Sequence, residues 1–466
     1  MRLALAAVVL LLTAPIAAAD HSGADWVASD NVQYLGSIKQ DVGLTTGAKV
    51  IKSTTPGVPD KLFVTSGKNL TIYDISDPAN PVTMGTLKAN VAWENEEVPT
   101  NGKVLAVASD FYSAMPSCLT QLAADGCVQL FDVRDPTDIR EVGAVPVANH
   151  TAECVLDCQW FYGRAGTIID ARGVLDGRAP TVAGNWIDEL KAQGVTEKSC
   201  HHIRELRPGV LLTACQPFAV ITVNAKDAPG ASPQHPKVLY TGESNAFVHS
   251  ARWPREGRDD LVLIGGETNF TGACDGANGE LRTYSAAAIN KGRSNTFAGP
   301  LDHLQPAGNG TYTDGKPVAN HLGCSVHWFQ EHPTFHDGGL VAISEYEDGV
   351  RFLQIGSDGS ITEQGYFLSL GSSSSSPKWA GKDDVLYSID YLRGIDILRW
   401  KGDTYVPTAA GRVRHRKGRV RGTRGVQPVL PALTRKQLDF AVRQDQALRA
   451  QGWFRGYCQL IANKNA

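Results

Sequence analysis

A short hydrophobic strand that runs into a tight turn, often with an acidic residue, recurs seven times along this chain, and in most copies a second strand follows. The copies read LFVTSGKNLTIYDI (62–75), LAVASDF (105–111) completed by CVQLFDV (127–133), GTIIDARGV (166–174), VLLTACQPFAVITV (210–223), LVLIGGETNF (261–270) with LRTYSA (281–286), LVAISEYEDGVRFLQI (340–355) and VLYSIDYLRGIDIL (385–398). Anchored on Gly67, Asp110, Asp170, Cys215, Glu267, Glu345 and Asp390, the intervals are 43, 60, 45, 52, 78 and 45 residues. A unit of that length holding one small antiparallel sheet is a propeller blade, and the longer intervals are blades with insertions. The chain is therefore expected to be an all-β, seven-bladed β-propeller over residues 20–405, with any site where the blades converge.

Two copies extend into a longer pattern, IYDISDPANPVTMGTL (72–87) and LFDVRDPTDIREVGAV (130–145): a strand, an Asp-Pro turn and another strand. Proline sets φ for the turn and aspartate bonds the backbone that follows. This unit resembles the LVIVD-repeat family of exported bacterial β-propellers, over roughly residues 30–405, a resemblance that implies the fold far more than an activity. The outer strands also repeat, as VTMGTLKA (82–89), REVGAVPVA (140–148), KVLYTGE (237–243) and TEQGYFLSL (362–370). VQYLGSIKQ (33–41) matches them but precedes the first blade, so this N-terminal strand is expected to pair with the last blade, closing the ring and removing exposed edges.

The first nineteen residues, MRLALAAVVLLLTAPIAAA, combine one arginine, an apolar run and Ala17-Ala18-Ala19, and read as a secretory signal cut before Asp20. No later segment is apolar enough to span a bilayer, so a secreted or periplasmic protein without a transmembrane segment is expected. Nine cysteines in an exported chain point to disulfides. Cys118 with Cys127 and Cys200 with Cys215 are sterically reasonable pairs. Zinc is the rival reading for Cys154-x3-Cys158, although no second pair of zinc spacing follows.

The overall charge of −3 conceals two unlike parts: from Pro407 onward thirteen Lys/Arg face Asp439 and Asp445, giving +11, so the body carries −14. The run RVRHRKGRVRGTR (412–424) belongs to a basic linker over 406–431. An anionic cell-surface polymer is its candidate partner, and nucleic acid is not expected because aromatic interleaving is absent. A short C-terminal helix and tail over 432–466, with Thr434 as N-cap, is expected beyond it. Calcium is a candidate ligand for DGANGE (275–280), which nevertheless lacks the full EF-hand pattern.

Candidate chemistry lies just before each repeat, where the innermost strand of a blade runs along the axis. LDCQW (156–160), HSARW (249–253), CSVHW (324–328) and SSPKW (375–379) align on tryptophan, and CHHIRE (200–205) aligns without it. Because side chains alternate along a strand, the residue before Trp and the one two earlier should share a face. That pairs Gln159 with Asp157, Arg252 with Ser250, His327 with Ser325, Lys378 with Ser376 and Arg204 with His202, a mostly cationic set.

Two functions follow. In the first, a binding module receives an anionic small molecule or a protein partner's acidic group at a channel mouth lined by His202, Arg204, His249, Arg252 and His327, with Glu267, Glu345 and Asp390 balancing the charge. In the second, His202, His249, His321 and His327 hold Cu, Fe or Zn in a metal-dependent oxidoreductase. A salt-bridge belt tying blade to blade is the purely structural alternative. No HExxH, G-x-S-x-G or phosphate-cradling glycine loop is present, so hydrolase chemistry is not expected.

Overall fold

The computed structural model describes residues 21–404, except 24, 40–44, 67–68, 89–95, 110–125, 148, 165, 196–199, 245, 268–278, 305–324 and 347, together with 434–437 and 443. Its strands form seven antiparallel sheets, the blades of a β-propeller. The first blade comprises Thr45–Ile51, Lys61–Ser66, Asn69–Asp74 and Val82–Lys88, from axis to rim. The second comprises Val104–Ser109, Cys127–Asp132 and Arg140–Val145, with 96–100 running inside them through bridges from Glu97 to Ala48 and from Thr100 to Leu105. The third, fourth and fifth cover 152–185, 200–242 and 250–304, and the sixth covers 329–369.

Both faces of every blade are apolar, so each sheet must be covered twice, and the buried residues divide accordingly. Each of seven hydrophobic clusters joins one pair of neighbouring blades. One of them packs Leu62, Val64 and Tyr73 of the first blade against Val385, Ile389 and Ile397 of the seventh. Fully burying a side chain of this kind stabilises by roughly 1.5–3 kcal/mol, and a ring gives every blade two such interfaces.

The Asp-Pro turns show how blades interlock. Asp77 accepts from the Ala79 amide at 3.0 Å and Asp135 from the Thr137 amide at 2.9 Å. The second turn sits so close to the first blade's outer strand that a Cβ on Gly85 would fall 1.7 Å from the Pro136 carbonyl oxygen. A glycine in the outer strand and an Asp-Pro turn in the next blade thus belong to one contact.

The seventh sheet contains Ser374–Trp379, Val385–Asp390 and Gly394–Trp400, with Val32–Ile38 as its outermost strand. Register runs from Ile395 opposite Ile38 to Trp400 opposite Val32. Two short strands, His21–Ser22 and Trp26–Ala28, extend the sixth blade at its rim. Disulfides join Cys200 to Cys215 and Cys154 to Cys158, so the latter pair is a cross-link rather than half of a zinc site. Cys127 is disulfide-bonded too, while Cys118 lies outside the described residues. So do the basic run 412–424 and, apart from Glu280 and its neighbour Gly279, the DGANGE loop. Thr434 and Gln437 exchange capping-box hydrogen bonds, and the Gln437 amide donates to the Gly23 carbonyl at 3.0 Å. No described helix is long and apolar enough to cross a membrane.

Candidate functional site

The axis is filled by two adjacent residues of the second blade, Glu96 and Glu97, and the inner strands arrange their polar side chains around these in two layers.

The spacing behind the layers is three residues. In blades one, four and seven the register of the innermost strand slips between Thr45 and Gly47, Cys200 and His202, and Ser374 and Ser376. A β-bulge inserts one residue, so the side chains that return to a given direction are three apart rather than two. The bypassed residues are Thr46, His201 and Ser375, and three positions on stand Lys49, Arg204 and Lys378. The same interval relates His150 to Glu153 and His249 to Arg252.

Histidine makes the first layer. His327 Nε2 lies 2.9 Å from Glu96 Oε1, and its Nδ1 lies 2.9 Å from the Ser375 carbonyl oxygen. Both partners are acceptors only, so both ring nitrogens carry protons and His327 is an imidazolium. Burial opposes that charge, but the Glu96 carboxylate overrides it and raises the pKa. Burial alone would likewise raise Glu96, yet His327 and His150 hold it well below the ordinary carboxylate range. Trp328 Nε1 donates to Glu96 Oε2 at 3.1 Å and the Tyr391 hydroxyl to Oε1 at 3.2 Å.

Three more histidines stand around the same carboxylate at greater distance: His150 Nε2 at 3.4 Å, His249 Nε2 at 3.6 Å and His201 Nε2 at 3.9 Å. His249 Nε2 is also 3.8 Å from Glu267 Oε2. Burial depresses the pKa of His201 and His249, with repulsion from His249 adding to it at the first and from His327 at the second, and outweighs the pull of Glu96 and Glu267, so both rings are driven toward the neutral form. The two rings lie 3.7 Å apart. His249 is fully buried, and among the described residues neither of its nitrogens has a hydrogen-bond partner.

The second layer is an ion cluster. Glu97 accepts from Lys378 Nζ at 2.6 Å and from Arg204 Nη2 at 3.3 Å. Arg252 meets Glu331 at 3.2 Å and donates to the Phe329 carbonyl at 2.6 Å. Burial pulls Lys378 down to about 8 against the pull of Glu97, and Glu97 is held far below its ordinary value although burial opposes this.

Several sequence expectations need correction. Arg204, Arg252 and Lys378 do converge, but on Glu97 rather than on an open channel. His202 is buried edge-on to Trp328, at 4.7 Å, between the layers and away from Glu96. His327 belongs with the histidines, not with Arg252, because its tryptophan follows a residue of the other layer. Gln159 and Asp157 are exposed in a turn, where Asp157 meets Asn101. Glu345 faces Arg351 at 3.8 Å inside the sixth blade, where burial raises its pKa well above normal. Asp390 accepts from Ser369, Ser372 and the Arg393 amide instead of facing the axis. Of the three acidic candidates, Glu267 alone reaches the histidines. Glu280 is engaged by Arg282 and His303. His321 lies outside the described residues. Glu96 and Glu97 were missed, whereas His150 and His201 stand at inner-strand entries, where the sequence places histidines able to face the axis. The histidine-anchored interval of three, followed through the blades, is the signal that finds both histidines.

In sequence, no family profile and no curated protein matches the chain. Among solved structures, it is similar to the β-propeller domain of Cps50 (Swd1) from Myceliophteria thermophila, with 13% identity over 79% of this chain and 99% of that one and a TM-score of 0.49. U3-55K and the WD40 repeats of RRP9 each give 10% identity and a TM-score of 0.47 over 79% of this chain, covering 98% and 97% of theirs. The class of this protein, a seven-bladed β-propeller, rests on its own strand pairing.

Proposed function

We propose that this is an exported, metal-binding β-propeller of the LVIVD-repeat type. One transition ion of the copper, iron or zinc kind sits on its axis, held by His201, His249, Glu96 and Glu267, with His150 against the other oxygen of Glu96. Two ligands of one tetrahedral ion with bonds of about 2.0–2.2 Å stand roughly 3.3–3.6 Å apart. The histidine-to-carboxylate distances of 3.4, 3.6, 3.8 and 3.9 Å run from inside that range to slightly above it and exceed a normal hydrogen bond. Neutral His201 and His249 beside the ionised Glu96 carboxylate are in the protonation state that metal binding requires.

His249 carries the reading. An unmet buried polar group costs about 1–3 kcal/mol, and ligation would offset that at Nε2. The anion-binding alternative is less favoured because Glu97 engages Lys378 and Arg204, and Glu331 engages Arg252. With a redox-active ion bound, the chemistry is that of a metal-dependent oxidoreductase. Export is supported by the N-terminal sequence and by the disulfides.

Metal analysis of protein purified without an affinity tag tests this. Stoichiometric copper, iron or zinc is expected, retained through gel filtration and lost in His249→Ala and Glu96→Gln variants that keep their circular dichroism. Native protein that holds none of the three and takes up none on titration overturns the reading.

The reading includes ring closure by Val32–Ile38. Deleting residues 30–41 bares the edge formed by Gly394–Trp400, and is expected to lower the melting temperature of the whole domain in a single transition. An unchanged transition would show that blade packing alone closes the ring.

A further inference from the structure

Two tyrosines lie beside the histidine layer. Tyr346 is buried and stacks on His327 at 4.5 Å and 29°. Its hydroxyl donates to Glu267 Oε1 at 2.5 Å, the carboxylate whose other oxygen faces His249. Tyr391 lies 6.5 Å from Tyr346, nearly parallel at 25°, and donates to Glu96 Oε1 at 3.2 Å. His249 and His327 are 4.5 Å apart, so the rings form a continuous series from the donor cluster to Tyr391. Tyr391 is half-buried and its neighbour Leu392 is exposed, so the series ends at the surface.

A phenol is readily oxidised by one electron when a base within hydrogen-bond reach takes its proton as the electron leaves. Each of these phenols has such a base, and in each case it is a carboxylate that also faces the histidines. We infer that Tyr346 and Tyr391 are one-electron donors to the axial ion and connect it to the surface, an inference that rests on the metal reading above. Tyr346 gives its electron to the oxidised ion and its proton to Glu267. Tyr391 gives its electron along the same rings and its proton to Glu96. With hydrogen peroxide as oxidant, two phenols supply two electrons and two protons, one peroxide becomes two waters, and two neutral phenoxyl radicals remain. Two one-electron reductions by an external donor meeting Tyr391, each accompanied by one proton from solvent, restore both phenols.

The test uses full-length protein loaded with iron or copper, its occupancy measured first. It is mixed with hydrogen peroxide, frozen and examined by electron paramagnetic resonance. A phenoxyl signal is expected whose hyperfine pattern collapses when the tyrosines are ring-deuterated, and which disappears in the Tyr346→Phe/Tyr391→Phe double variant at unchanged occupancy. Full occupancy without a phenoxyl signal, or an undiminished signal in the double variant, overturns the relay while leaving the metal centre standing. Failure to bind either ion is read in the occupancy measurement itself and removes both. The wild-type deuteration experiment stands if the double variant does not fold.

Discussion

Glu96 and Glu97 are neighbours in the chain, both buried on the axis, yet they face different chemistry. Glu97 meets Arg204, which stays charged, and Lys378, which burial brings down to about 8, with Arg252 close by. Glu96 meets one protonated histidine and three more distant ones, of which His201 and His249 are driven toward the neutral form by burial. The first arrangement ties the second blade to the fourth and seventh. The second leaves donors whose charge can change, and lone pairs available to an ion. Stability and reactivity are thus separated by one residue along the chain and one layer along the axis.

The largest effect that tests this contrast is in the cationic layer. Glu97→Gln leaves Lys378 and Arg204 buried opposite a neutral amide. Removing one partner of a buried pair costs about 3–5 kcal/mol, because the remaining charge stays desolvated. Urea unfolding of metal-free protein should show a loss of that size at pH 6, where Lys378 and Arg204 are both charged in the wild type, shrinking toward pH 8 as Lys378, brought down to about 8 by burial, sheds its proton. A loss below ~1 kcal/mol would mean that Glu97 is dispensable to the layer and the contrast is false.

The blades were legible in the sequence because alternation and turn chemistry repeat locally, and the Asp-Pro units at 77–78 and 135–136 recur with the same hydrogen bonds. The site was legible only in part. Arg204, Arg252 and Lys378 were brought together correctly by a tryptophan alignment, since Trp253 and Trp379 follow their cations directly. The same alignment misplaced His327, because Trp328 stands three positions earlier in its blade than Trp253 does relative to His249. Strict alternation misled further, because the bulges at Thr46, His201 and Ser375 replace a two-residue interval with a three-residue one. Glu96 and Glu97 had no local signature at all. They act from a blade whose inner segment matches no other, and their role exists only once five other blades surround them.

The smallest effect is the most discriminating, because it is set by pH. Glu96→Gln removes the carboxylate that keeps His327 protonated, but His327 can shed its proton, so the residual cost is that of a weakened hydrogen bond, about 1 kcal/mol. The raised pKa of His327 contributes stability that is complete below the ordinary value of 6.5 and is lost as pH rises through the folded value. The lowered pKa of Glu96 contributes stability present above its ordinary 4.5 and lost as pH falls toward the folded value. The pair is therefore intact between pH 4.5 and 6.5, and the gap between wild type and Glu96→Gln should be widest there. Above that window the wild type loses the His327 proton as well, and the two stability curves should converge. Curves for metal-free protein that stay parallel from pH 5 to pH 9 would show that His327 does not carry the extra proton, and the contrast between the two layers would fail at its central residue.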